Sequence, residues 1–341
     1  MTTANNIGGQ ESKASTFQWW MVSNLGIGAG FAAFVVLLIP PSITGITNAA
    51  DAGIIMAIIA LSAVLGPVLG GFADRYRAHR LVLVGGIFLM AFGFFFFGWA
   101  AFSNGFFSID AILIGVGVAS VGAVAPVYVI GAGLDQELQA KRLTALSLVI
   151  PIGTVVGGVI MSAAVTAGLS YPDRFFIAGG MMALVGLVTW LSSGQPTKQL
   201  LAAMDAKAQQ SANQIQTEAK PESLGLGRIL LSTFGIFLLV MVCSEFAANG
   251  VNNQISNILP NVFGISEATT SGLISLAGVF NIGLFFVAGR WMARSSIMGP
   301  FLLSHLARFV GALGMAFLGM MSDNAPLIMT AFFMQVLYQG L

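Results

Sequence analysis

The chain has 341 residues, of which 57% are hydrophobic and only 8% charged, with a formal net charge of +1 and a mean hydropathy of +0.89. A soluble domain is about one quarter charged, so a soluble fold is excluded. There is no basic run for nucleic acid, and Cys243 is the only cysteine, which excludes an internal disulfide and a Cys-based metal site.

In chain order, residues 1–17 are a polar tail with one basic residue, Lys13. The apolar stretch behind them is too long for a signal-peptide core and is retained as the first span. A spanning helix needs about 20 mostly apolar residues. That criterion predicts spans at about 18–40, 52–73, 81–101, 109–134, 143–168, 174–192, 229–259, 268–292 and 299–320. A tenth begins near Pro326 and reaches Leu341. The short alternating segments of a transmembrane barrel are absent. Residues 193–228 are the one long polar linker, rich in Gln, Ala and Lys. Part of it, Lys198 to Gln216, can fold as a surface helix; a flexible connector is the preferred reading.

Lys and Arg set the orientation. With the N-terminus in the cytoplasm, Lys13, Arg75, Arg77, Arg80, Lys141, Arg142, Lys198, Lys207, Lys220, Arg228, Arg290 and Arg294 are cytoplasmic, twelve of the fourteen. Arg174 falls outside, beside Asp173, and Arg308 falls within span 9.

The chain also repeats. A shift of 219 positions, from Gly70 to Gly289, aligns residues 39–75 with 258–294 without a gap, and eleven of 37 pairs are identical. Chance in this composition gives roughly a tenth. The shared turn Pro41-x-x-x-Gly45-Ile46-Thr47 and Pro260-x-x-x-Gly264-Ile265-Ser266 makes two helices with common letters a poor explanation. Two homologous six-span halves are therefore expected. They are an N-terminal bundle over 18–192 and an incomplete C-terminal bundle over 229–341, holding spans 7–9 and part of 10, joined by the cytoplasmic linker 193–228. The same offset carries the second half to about 411, so most of span 10 and all of spans 11 and 12 are expected beyond Leu341.

One charged turn stands out between spans 2 and 3: Gly70-Gly71-Phe72-Ala73-Asp74-Arg75-Tyr76-Arg77-Ala78-His79-Arg80. It resembles the signature of the major facilitator superfamily of secondary transporters, roughly Gly-x-Leu-Ala-Asp-Arg-x-Gly-Arg-Lys-Arg. Gly70, Ala73, Asp74, Arg75 and Arg80 fit, and Phe72 stands at the Leu; Arg77 replaces the second Gly and Ala78 an Arg. Asp135 and Arg142 have the spacing of a second family motif, between spans 4 and 5. The resemblance covers essentially the whole chain. It implies an all-α polytopic membrane protein with two pseudo-symmetric six-helix bundles, the second truncated within span 10.

Two family patterns are degraded. Gly115-Val116-Gly117 in span 4 lacks the Arg that proton-coupled members carry four residues earlier; Ala111 stands there, with Asp110 beside it. The antiporter pattern in span 5 survives as Gly153-Thr154-Val155-Val156-Gly157-Gly158. Close helix packing by small residues is the preferred reading of it, and antiport the alternative.

The resemblance implies a cytoplasmic gate of Gly70, Asp74, Arg75 and Arg80, with Asp135 and Arg142 as partners, which latches while the cavity faces outward. Simple topology anchoring by the basic residues is the competing reading; in the second half Ala293 stands at the Asp74 position. His79 reads as part of the turn. Span 7 supplies the candidate solute site. Glu245, Asn249, Asn252 and Ser256 recur at helical spacing, with Asn253 and Asn257 alongside. Polar groups facing lipid are costly, so the stripe faces the bundle interior. Amides donate and accept, which suits a hydroxylated or zwitterionic solute. Interhelical hydrogen bonding without a solute is the competing reading. Glu245 can bind a cation or carry a proton, and Arg308, one turn from His305, is its candidate partner. His305 reads as a packed residue.

No catalytic set, metal-spaced cluster or phosphate loop appears, so neither an enzyme nor a cofactor is expected. The expected function is secondary active transport of a small polar solute by alternating access, with a proton as the candidate coupling ion. A drug or metabolite efflux antiporter, and a non-transporting receptor or assembly factor on the same scaffold, are the alternatives. The expected setting is the lipid bilayer of a plasma membrane (the inner membrane in a bacterium), as a multi-pass monomer.

Overall fold

The computed structural model describes residues 15–101, 106–214, 251–294, 298–321 and 325–336, together with Ser232 and Gly235. The described residues contain helices and turns and no strand. The helices are α1 (Trp19–Ile46), α2 (Ala49–Tyr76), α3 (His79–Trp99), α4 (Phe107–Ile130), α5 (Gln136–Thr166), α6 (Tyr171–Ser192), α7 (Gly194–Gln214), α8 (Ile255–Phe263), α9 (Glu267–Arg294), α10 (Met298–Met321) and α11 (Ala325–Val336). Among the described residues, eight stretches, in α1–α6, α9 and α10, are long and apolar enough to cross a membrane. The predicted spans fall on them. The largest differences are at helix ends, where α1 runs on through Pro40 and Pro41 to Ile46 and α5 starts at Gln136. Most of predicted span 7 lies outside the described residues.

Consecutive spans alternate in direction. The α2–α3, α4–α5 and α6–α7 turns therefore share one end, the Asp74 end, where Arg77 pairs with Asp205 and Tyr128 with Thr197. The other end, the Glu267 end, holds the α1–α2, α3–α4, α5–α6 and α8–α9 turns. Local chemistry sets several boundaries. Asp135 caps α5 by accepting from Leu138 N at 2.8 Å, and Ser170 caps α6 ahead of Pro172. The predicted repeat is present in the backbone: the turns after Pro41 and Pro260 lead into α2 and α9, each 28 residues long.

Apolar attraction does not join helices in lipid, so close packing depends on small residues. α5 sits between α1 and α9 for this reason. A Cβ on Gly28 would lie 1.9 Å from the Ile150 carbonyl oxygen, and one on Gly157 would lie 2.8 Å from Ala33 Cβ. On the other side, a Cβ on Gly158 would lie 2.2 Å from Ser275 Oγ. The span-5 glycines are thus packing contacts to both neighbours.

The linker departs from the flexible reading. Residues 194–214 are one helix, α7, docked on the Asp74 end. Ser193, Thr197, Leu200 and Met204 recur at helical spacing and face the first six helices. Leu200 is fully buried, against Gly131, where an added Cβ would lie 2.6 Å from Leu200 Cδ1. The remaining linker lies outside the described residues.

Candidate functional site

A cavity of about 450 Å³ lies where α1, α5, residues 252–255, α9 and α11 converge. Its polar lining comes from Ser147 and Thr154 on α5, Asn252 and Asn253 before α8, and Asn281 on α9. Phe31, Phe285 and Phe332 supply aromatic walls. Among the described residues, no ionisable side chain lines it. α1 contributes Ile27, Phe31 and Ala32 from a π-helical stretch, Gly26–Val35, that also crosses α5 at Gly28. An apolar cavity with a few convergent hydrogen-bonding groups is the usual form of a small-molecule site.

The predicted span-7 stripe divides. Asn252 and Asn253 line the cavity. Ser256 is buried and donates instead to the Val36 carbonyl of α1. Asn257 Nδ2 donates to Thr44 Oγ1 at 2.9 Å and to Gln254 Oε1 at 3.0 Å. These two residues tie α8 to α1, as interhelical bonding requires. Glu245 and Asn249 lie outside the described residues. Arg308 is buried on α10 and is not part of the described cavity wall. His305 is packed, with its ring 4.4 Å from that of Phe301. Asn281, Ser147 and Thr154 were not predicted. Asn281 had a signal, being a lone amide in the apolar run Leu276 to Gly289.

The Glu267 end is closed by polar contacts between the first six helices and α8–α9. Arg174 Nη1 donates to Glu267 Oε2 at 2.9 Å, and Tyr171 Oη donates to Glu267 Oε1 at 2.8 Å. Arg174 is further held by donating from Nε to the Leu169 carbonyl at 2.8 Å. Ser162 Oγ donates to the Ala268 carbonyl, and Ser275 Oγ to the Val155 carbonyl, both at 3.2 Å. The neighbouring Asp173 is taken up by the cap residue Ser170, whose Oγ donates to it. The cavity lies on the Asp74 side of this seal, since its α5 lining (residues 147–154) precedes the sealed stretch (155–162).

At the Asp74 end the charged turn is ordered by its own residues. Asp74 Oδ1 lies 2.8 Å from Nε2 of His79, which is fully buried. His79 is therefore a partner of the acid and more than a turn residue. Arg77 ends α2 at φ 54°, the left-handed region, where the resembling signature has glycine. Arg75 is exposed, its guanidinium 5.6 Å from the Tyr76 ring centroid. Arg80 donates from Nη2 to the Trp190 carbonyl at 2.7 Å and from Nε to Ser193 Oγ at 3.3 Å. Gly70 has room: an added Cβ would come no nearer than 3.9 Å to Ala123 Cβ. The predicted partners are not joined to Asp74 in this conformation. Asp135 serves as the α5 cap, and Arg142 is buried with no partner for its Nε among the described residues.

One further acid stands apart. Asp110, near the start of α4, is fully buried, and neither carboxylate oxygen has a hydrogen-bond partner among the described residues.

The family model described as the Major Facilitator Superfamily matches residues 20–341. No curated protein matches by sequence. Among solved structures, the D-xylose-proton symporter has a TM-score of 0.65 at 16% identity, with 94% of this chain and 79% of that chain covered. The xylose transporter XylE from E. coli, in a partially occluded inward open conformation, has a TM-score of 0.68 at 15% identity, with 94% and 83% covered. The same transporter in an inward open conformation gives 0.67 at 15% identity, with 94% and 78% covered. At these identities the likeness is one of fold.

Proposed function

Since the chain belongs to the Major Facilitator Superfamily, we propose that it moves a small polar solute by alternating access between two six-helix halves. As a member of that superfamily it is a multi-pass membrane transporter rather than an enzyme. The observation that carries the proposal is the pairing of a cavity with a seal on one side of it, built from Arg174, Tyr171 and Glu267. Such a seal has to open for the cavity to face the other compartment.

The solute is a small hydroxylated, uncharged molecule. Three amides and two hydroxyls can exchange hydrogen bonds with it, and the phenylalanine walls suit an apolar ring face. The xylose transporters to which the fold is similar agree with this class. A proton is the coupling ion, with Glu245 as its carrier and Arg308 as the balancing charge. By the positive-inside rule the Asp74 end and the N-terminus are cytoplasmic, in a plasma membrane. The conformation described is then inward-facing. In the outward-facing state Asp74, Arg75 and Arg80 close against Asp135 and Arg142. The antiporter reading leaned on the span-5 glycines, and their contacts with α1 and α9 account for them.

Counterflow in proteoliposomes of the full-length protein tests the proposal. Sugars and polyols are compared with organic cations and anions. Exchange of a neutral hydroxylated solute is expected. Binding without exchange of any solute would favour a receptor, and preferential exchange of an organic ion would overturn the solute class.

A further inference from the structure

Away from the cavity, α3 and α6 form an open groove of about 490 Å³. Leu81, Val84, Gly85 and Phe88 recur on α3 at steps of three and four, so they make one stripe facing Trp190 of α6. The stripe runs seven helical steps, from Leu81 to Phe88, about 10 Å of helix. Leu81 is 68% and Trp190 49% exposed. A Cβ added to Gly85 would meet nothing within 4 Å among the described residues, so the floor has room at that point. Both helices are membrane spans, which puts the groove at lipid depth.

The groove is apolar along its length and basic at its mouth. Arg77, Ala78 and Arg80 close it at the Asp74 end. The acceptors that hold Arg80, the Trp190 carbonyl and Ser193 Oγ, are both neutral. No carboxylate pairs with Arg80 among the described residues, so its full charge stays at the mouth. Arg77 is shared with Asp205, Asp74 is engaged with His79, and Arg75 adds a further exposed charge on the same turn. A positive mouth above a short apolar slot matches an anionic head on an acyl chain. Basic pockets between spans on the cytoplasmic side are suited to anionic lipids, which are concentrated in that leaflet, and a Trp near the membrane surface suits the headgroup level.

We propose that this groove binds one anionic phospholipid. The phosphate sits on Arg80 and Arg77, and an acyl chain lies along Leu81, Val84, Gly85, Phe88 and Trp190. The full-length protein is examined by native mass spectrometry with phosphatidylglycerol and phosphatidylcholine added in turn. The wild type is expected to retain one phosphatidylglycerol in preference to phosphatidylcholine. Arg80→Gln lowers phosphatidylglycerol retention about fivefold, the factor for one Arg near an anionic surface, and leaves phosphatidylcholine unchanged. Gly85→Leu keeps every arginine, fills the floor, and lowers retention of both lipids. Four results would overturn the proposal: equal retention in wild type and both variants; a loss with Arg290→Gln as large as with Arg80→Gln; full competition by chain-free glycerophosphoglycerol; or a second copy of the protein in place of lipid, seen as a dimer that Gly85→Leu dissociates.

Discussion

Arg174 Nη1 donates to Glu267 Oε2 across 2.9 Å and so ties the first turn of α6 to the first turn of α9. The pair is partly buried, with side-chain exposures of 11% and 40%, and Tyr171 completes the carboxylate's shell. A hydrogen bond to a charged group contributes about 1.5–3 kcal/mol. If the pair exists only while this end is shut, Glu267→Gln raises the population open there about 10- to 150-fold. Spin labels at Thr166 and Asn261, exposed at this end on opposite sides of the seal, read the change. The distance distribution should shift to longer values in Glu267→Gln. An unchanged distribution would mean that the pair does not hold the seal.

The crossing of α1 and α5 has no room for a side chain. Gly28→Ala brings a Cβ to 1.9 Å from a backbone oxygen, which cannot rotate away. Overpacking of this kind costs about 1–3 kcal/mol or more. A lower melting temperature in detergent and loss of transport are expected. Gly85→Ala, whose added Cβ meets nothing within 4 Å among the described residues, should not lower the melting temperature. Equal effects at the two positions would contradict the packing argument.

Arg77 occupies a left-handed position, at φ 54°. A non-glycine residue there costs about 1–2 kcal/mol. Its exposed pair with Asp205 returns about 0–1 kcal/mol. Arg77→Gly should therefore be at least as stable as wild type, and more stable than Arg77→Ala, which loses the pair and keeps the strain. Thermal unfolding of the three proteins decides it; an order with Arg77→Gly lowest refutes the strain argument.

The polar residues around span 7 should separate into two kinds. Asn253→Ala and Asn281→Ala remove cavity groups and should weaken solute binding by about 2- to 10-fold each, the value of a neutral hydrogen bond. Ser256→Ala breaks the tie to Val36 and should lower stability with little change in affinity. Solute titration and thermal unfolding of the same samples test this. Loss of affinity at Ser256 with none at Asn253 would reverse the assignment.

Much of the fold was legible because span length and the helical repeat are local properties. The offset of 219 positions between Gly70 and Gly289 predicted two matching turns, and both are present. The same spacing argument selected the face carrying Asn252, Asn253 and Ser256 but not the depth, so it could not tell a cavity residue from one bonded to α1. Contacts between distant segments were out of reach. Arg174 and Glu267 are 93 positions apart, and no local pattern links them. α7 was misread because its stability comes from Leu200 against Gly131, a tertiary contact, and not from its polar composition. His79 was undervalued because nothing local shows that it is buried.

Alternating access is tested most directly by thiol accessibility of one cavity position from each side. In a Cys243→Ser background, Asn253→Cys is treated with a membrane-impermeant maleimide in right-side-out and inside-out vesicles, with and without Glu267→Gln. Labelling from the Asp74 side alone is predicted for the resting protein, with labelling from the Glu267 side gained in Glu267→Gln. Labelling of the resting protein from the Glu267 side, or from either side without response to Glu267→Gln, would contradict the account.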